Sequence, residues 1–244
     1  MTRMVYGVHA VRASLASGRK IDALHLLHGM KLRAEFEALA ASAGARVEFH
    51  DRSALDALAG SRHHQGVIAE VALRRDFNED WLLSRFESPS TNSVILALDS
   101  IEDPRNFGAC IRTAAAVSVD AIIYPKNRGT RVTPVAEKAA SGGVEQVPMV
   151  AVSNLVRRLT WFSSRGFQVI GADSNAPTPW YQSDFNAATV LVVGSEGKGL
   201  RKLTKSSCDA LVALPVACGI ASLNVSVATG ILLYEVLRQR QCAR

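Results

Sequence analysis

The chain has 244 residues, 48% of them hydrophobic and 20% charged, with a formal net charge of +6. That composition excludes a disordered or fibrous chain and leaves room for two small domains with cores of their own. The basic excess suits a polyanionic partner and sits mainly in the second part: residues 1–73 hold nine Lys/Arg against seven Asp/Glu, 74–93 three against four, and 94–244 sixteen against eleven.

Residues 8–16 read as a helix, 23–27 as a strand, 33–43 as a helix ending near Gly44, 46–49 as a strand, 53–58 as a helix and 66–71 as a strand. These make a compact α/β unit over 1–73. Residues 74–93 have linker composition, with a helical turn or two near 81–86. From 94 onward a β-α pattern repeats. The apolar run 94–98 suits a strand buried on both faces, and a polar loop then leads to a helix from about Gly108 to Val117. Strands follow at 121–124, 168–171, 189–193 and 210–214, with helices at 135–142, 154–164 and 222–239. Such alternation over 94–244 predicts a mostly parallel sheet with helices on both faces.

The four cysteines, Cys110, Cys208, Cys218 and Cys242, form no C-x-x-C pair, so reduced thiols and no metal are expected, and His63-His64 lacks further ligand partners. No apolar run reaches the ~18 residues that span a bilayer, and the N-terminus has no signal-peptide core; a cytoplasmic protein away from membranes is expected.

In open parallel sheets, ligands bind beyond the carboxyl ends of the strands. Three polar, glycine-bearing loops occupy such places. The first runs from Asp99 through Pro104, Arg105, Asn106 and Gly108 to Arg112, where, for this loop alone, a solvent-facing arginine on a capped helix is the favoured reading. The second is Gly194-Ser195-Glu196-Gly197-Lys198-Gly199, whose spacing fits neither a dinucleotide fingerprint nor a P-loop. The third runs from Leu214 to Ser226, where Ser222 or Asn224 would cap the last helix. Arg105, Lys126, Arg128, Arg131, Lys198, Arg201, Lys202 and Lys205 flank these loops and as a group suit RNA phosphates.

Taken together, Asn106-Phe107-Gly108-Ala109 with Arg112-Thr113-Ala114, then Gly194 to Gly199, then Ser222-Leu223-Asn224-Val225-Ser226-Val227-Ala228, resemble the three signature motifs of the SpoU/TrmH family of RNA ribose 2′-O-methyltransferases. Tyr6-Gly7-Val8-His9-Ala10-Val11 and His64-Gln65-Gly66-Val67-Ile68-Ala69 resemble that family's small substrate-binding domain, itself like ribosomal protein L30e. The resemblance implies a trefoil-knotted methyltransferase domain, with small residues such as Gly197, Gly199 and Gly219 where backbones cross. It implies S-adenosylmethionine as cofactor, held near Gly194, Gly197, Leu214, Ile220 and Leu223. Asn106, Arg112, Glu196, Ser222 and Asn224 would line the reacting side, with Arg105, Lys198, Arg201 and Lys202 against RNA. It also implies a homodimer with the knot at its interface.

Within the family the likeness is greatest to members acting on a guanosine in the peptidyl-transferase region of 23S rRNA, on free rRNA or a ribosomal precursor. A tRNA or other rRNA target, or an RNA-binding protein without chemistry, are the alternatives. Three positions depart from the family pattern: Cys218 stands before Gly219 where glycine is usual, Phe107 replaces an aliphatic residue, and Ser118 follows the first motif helix where glycine is common. A guanidinium does not deprotonate near neutral pH, so the resemblance is better served by Arg112 as a cation holding phosphate and stabilising a nascent alkoxide than as a base. Glu196 is then a base or a positioning group for Arg112 or Asn106.

Overall fold

A computed structural model describes residues 2–16, 21–72, 77–127, 129, 131–217 and 222–242, with only the backbone of Ala72 and Cys242. Arg128, Cys218, Gly219 and Ile220 lie outside the described residues.

The N-terminal unit runs β1 (Thr2–Tyr6), α1 (Val8–Ala16), β2 (Ile21–Leu27), α2 (Arg33–Ala43), β3 (Arg46–His50), α3 (Arg52–Ala59) and β4 (Val67–Ala72). Its sheet has the order β1-β4-β2-β3, antiparallel except for β2 with β3. One face packs against α1 and α2 around Val11, Leu24 and Phe36, the other against Leu55 of α3. The Asp51 carboxylate accepts from the Ala54 N–H and caps α3. β1 was not among the expected strands; Met4, Val5 and Tyr6 pair with β4 at the sheet edge.

A helix α4 (Glu79–Arg85), capped by Asn78, follows. It is not a free spacer. Leu82 and Phe86 are buried with Phe162 and Phe167, so residues 77–86 belong to the core of the second unit. Glu79 accepts from the Ser153 N–H at 2.7 Å and pairs with buried Arg158.

The second unit continues with β5 (Val94–Asp99), α5 (Pro104–Ala116), β6 (Ala121–Pro125), α6 (Pro134–Ala140), α7 (Gly143–Gln146), β7 (Met149–Val152) and α8 (Leu155–Ser164). Then come β8 (Gln168–Ala172), β9 (Thr178–Pro179), a 3-10 turn (Trp180–Gln182), β10 (Thr189–Gly194), α9 (Lys202–Ser206), β11 (Ala210–Ala213) and α10 (Val225–Cys242). The sheet is parallel throughout, in the order β7-β6-β5-β10-β8-β11-β9. Two apolar cores, one per face, hold the helices, as the β-α alternation predicts.

Two boundaries moved. α5 begins four residues before Gly108, because Asp103 caps it and Pro104 takes the first helical turn, where a missing N–H costs nothing. α10 begins at Val225, so Asn224 rather than Ser222 is its cap. After α5, Ser118 adopts a left-handed conformation (φ +58°), which explains why glycine suits that position.

The two units meet at the corner between α6 and α7. Arg3 of β1 pairs with Glu137 and Glu145, and Lys138 donates to the His63 carbonyl at 2.9 Å. Gly142 and Gly143 sit between α1 and α5. A Cβ on Gly142 would lie 2.2 Å from the Ala13 Cβ, and one on Gly143 would lie 3.1 Å from the Ile111 carbonyl oxygen and 3.2 Å from the Arg112 Cα.

Candidate active site

The strand order reverses at β5 and β10: β6 and β7 extend to one side of this pair, β8 and β11 to the other. Gly194 at the end of β10 lies opposite Asp99 at the end of β5. A crevice at such a reversal is where an open parallel sheet binds ligands.

A cavity of about 530 Å³ opens here, within the ~300–1,000 Å³ of small-molecule clefts. Its floor is the turn after β10. Ser195 and Gly199 bridge through two backbone hydrogen bonds (Ser195 N to Gly199 O, 3.2 Å; Gly199 N to Ser195 O, 2.9 Å), folding Glu196, Gly197 and Lys198 into a tight hairpin. Gly197 and Gly199 take φ values of +75° and +63°, and Gly194 has no room for a side chain: a Cβ would lie 2.2 Å from the Gly199 carbonyl carbon. Leu214 and Leu223 form walls, joined by Val193 and Val212, and Ser222 sits at the mouth.

Ala172 at the end of β8 and residues 173–175 in the turn after it supply the opposite wall and were not foreseen. Their signal was present: an Asp-Ser-Asn turn directly after a buried strand. Burial pushes the Asp173 carboxyl up, but a 2.7 Å ion pair with Lys205 and the Asn175 N–H outweigh it and hold the group below the usual carboxylate range.

At the rim a single amide ties all three motif loops together. Asn224 Oδ1 accepts from the Ser226 N–H (2.9 Å) and hydroxyl (2.6 Å), closing the α10 N-terminus. That fixes the amide orientation, so both Nδ2 protons point outward. One goes to Asn106 Oδ1 at 3.1 Å, the other to Glu196 Oε1. Glu196 therefore positions Asn224 rather than Arg112. Among the described residues, the second Glu196 oxygen and the Asn106 amide nitrogen have no hydrogen-bond partner.

Residues 93–234 match the SpoU rRNA Methylase family, and residues 4–76 match the RNA 2'-O ribose methyltransferase substrate binding family. The chain belongs to the SpoU rRNA methylase family. It is 43% identical over 243 residues to the 23S rRNA (guanosine-2'-O-)-methyltransferase RlmB of Pseudomonas putida, covering 98% of both chains. Its fold is that of the SpoU methyltransferase AviRb from Streptomyces viridochromogenes in complex with AdoMet (TM-score 0.83, 23% identity, covering 100% of this chain and 92% of that one). The AdoMet-bound rRNA methyltransferase from Sinorhizobium meliloti is also similar (TM-score 0.77, 25% identity, 97% and 87% covered).

The other candidate residues of this SpoU methylase divide into two groups. Arg112 stands six residues after Asn106, about 120° around α5; it is exposed and, among the described residues, has no hydrogen-bond or ion-pair partner. Arg105 and Lys202 are likewise exposed, and Lys198 pairs loosely with Glu102 at 3.7 Å. Arg201 has a different partner from the one expected. Its Nε and Nη2 reach Asp99 Oδ1 at 2.6 and 2.5 Å, and its N–H reaches Oδ2 at 3.1 Å. Asp99 is fully buried, so this pair neutralises a charge inside the fold. Phe107 is buried and meets Tyr124 edge-on at 5.3 Å. His64 is also structural: buried, it bonds Asp56 at 2.9 Å and the Gly66 N–H at 3.0 Å.

Proposed function

We propose that the chain methylates the ribose 2′-hydroxyl of a guanosine in 23S rRNA, with S-adenosylmethionine as donor. The target follows the activity of its 43% identical relative, which it matches nearly end to end. The observation that carries the chemistry is Asn224, which brings Asn106 and Glu196 to one edge of the cavity.

The cavity suits an adenosyl group: Val193, Val212, Leu214 and Leu223 offer apolar faces to a flat ring, and the strand ends offer backbone polar groups for its edge. Gly197 has open space where a side chain would stand, while Gly194 lets the hairpin close on the end of β10. When bound, the cofactor supplies an electrophilic methyl group. Everything else is done by this chain. The Asn106 amide nitrogen donates to the ribose oxygen as negative charge develops on it, and the free Glu196 oxygen lies where it accepts a hydroxyl proton. Arg112, with no partner among the described residues, meets the RNA phosphate beside the reacting ribose, supported by Arg105, Lys198 and Lys202.

The chain acts as a homodimer. Val227 and Tyr234 are exposed on one side of α10, with Ile231 between them, an apolar stripe that calls for cover. A trefoil knot in the methyltransferase unit is part of this reading and rests on the family match over residues 93–234. No helix among the described residues is long and apolar enough to cross a membrane, and an rRNA substrate places the protein in the cytoplasm.

The deciding experiment incubates the protein with labelled S-adenosylmethionine and 23S rRNA, free or in a precursor particle, and maps ribose methylation by primer extension. A single modified guanosine in the peptidyl-transferase region is expected. Label in tRNA alone, or cofactor binding without transfer, overturns the target or the activity respectively. Light scattering is expected to give twice 26.2 kDa.

A further inference from the structure

We propose that the N-terminal sheet carries a zinc-class cation site formed by His25, Glu48 and His50. The three residues share one face. His25 on β2 pairs directly with Glu48 on β3, and His50 follows two residues on, so strand alternation turns all three the same way. His25 is 6% exposed; Glu48 forms the open side.

The distances decide between two readings. His25 Nδ1 and His50 Nε2 are 3.0 Å apart, which a single N–H···N hydrogen bond explains. Glu48 Oε2, however, lies 3.5 Å from the first nitrogen and 3.7 Å from the second. Those separations are too long for good hydrogen bonds, yet the oxygen converges on both nitrogens at once. Bonds of 2.0–2.1 Å to a tetrahedral zinc require ligand atoms about 3.3 Å apart. The three observed separations straddle that value, so a cation draws the triangle together with small side-chain movements. Two imidazoles and one carboxylate are a donor set for zinc or a related first-row divalent ion, not for calcium or magnesium. A fourth position stays open to water on the Glu48 side.

β3 is the edge strand of its sheet and carries two of the three ligands. The cation therefore staples that edge to β2. Among the described residues, the buried His25 Nε2 has no hydrogen-bond partner, so none of them supplies the supporting acceptor that tightens metal-bound histidines. It binds more weakly than a closed structural zinc site.

The full chain, stripped with a chelator, is titrated with zinc chloride by calorimetry and with cobalt(II) by visible absorption. One equivalent is expected, with the intense cobalt bands of a tetrahedral site and a melting temperature raised by several degrees. His50→Gln and Glu48→Gln, both at partly exposed positions, each weaken binding by about a hundredfold or more, beyond what loss of a merely supporting group costs. Zinc also shifts the nitrogen-15 resonances of His25 Nδ1 and His50 Nε2. No uptake at about tenfold molar excess overturns the proposal. So does uptake that both variants leave unchanged, since that places the metal elsewhere in the chain.

Discussion

The cavity floor and the rim above it are built from different materials. The floor is backbone: the Ser195–Gly199 hairpin, the β10 end and the turn after β8, seated so closely that Gly194 cannot carry a side chain. The rim is side chain: Asn106, Glu196 and Asn224 are bonded to one another, while Arg112 has no partner among the described residues. A backbone floor is fixed by the fold before any ligand arrives, which suits a cofactor of constant shape. A side-chain rim with long free cations suits a polymer that arrives in many orientations. The contrast teaches that cofactor affinity and RNA turnover are separable by mutation.

The sharpest test is Asn224. Asn224→Ala removes the bridge and the helix cap together, whereas Asn224→Ser keeps a capping oxygen and loses only the bridge. Both are expected to lower kcat by about 10²–10³, the cost of a misplaced preorganised donor, with cofactor affinity within a few-fold of normal. Full turnover in Asn224→Ser would show that the bridge is ornamental. Next comes Gly194→Ala, whose new Cβ meets backbone at 2.2–2.4 Å. Overpacking of about 1–3 kcal/mol is expected to weaken S-adenosylmethionine about ten- to hundredfold by calorimetry, and unchanged affinity would mean that the floor yields.

Arg112→Lys keeps the charge and loses the planar fork. A loss of about 1.5 kcal/mol, roughly tenfold in kcat/KM for RNA, is expected with cofactor binding intact; near-normal transfer at every pH would rule out bidentate phosphate contact. The smallest effect belongs to Asp173. Its folded pKa is depressed, so its contribution to stability is complete above the unfolded value of about 3.9 and is lost as pH falls through the folded value. Asp173→Asn should flatten the acid limb of the Tm–pH curve below about pH 4.

Much of the architecture was legible because parallel strands buried on both faces leave continuous apolar runs, as at residues 94–98 and 189–193. The three motif loops were legible because each follows such a run. What escaped was decided mostly at long range. Asn106 reads locally as a turn residue, yet it lies inside α5, which Asp103 caps and Pro104 opens. Arg201 reads as a free cation beside a motif, yet Asp99, 102 positions earlier, occupies it. α4 reads as linker because its flanks are polar, and only the fold supplies Phe162 and Phe167 to receive Phe86.

Gly142 and Gly143 are adjacent in sequence but press in opposite directions, one on α1 and the other on α5 beside Arg112. Neither contact contains a glycine side chain that bends to absorb a shift. A side chain at either position would push the N-terminal unit and the arginine-bearing helix apart, so this glycine pair sets the spacing between them.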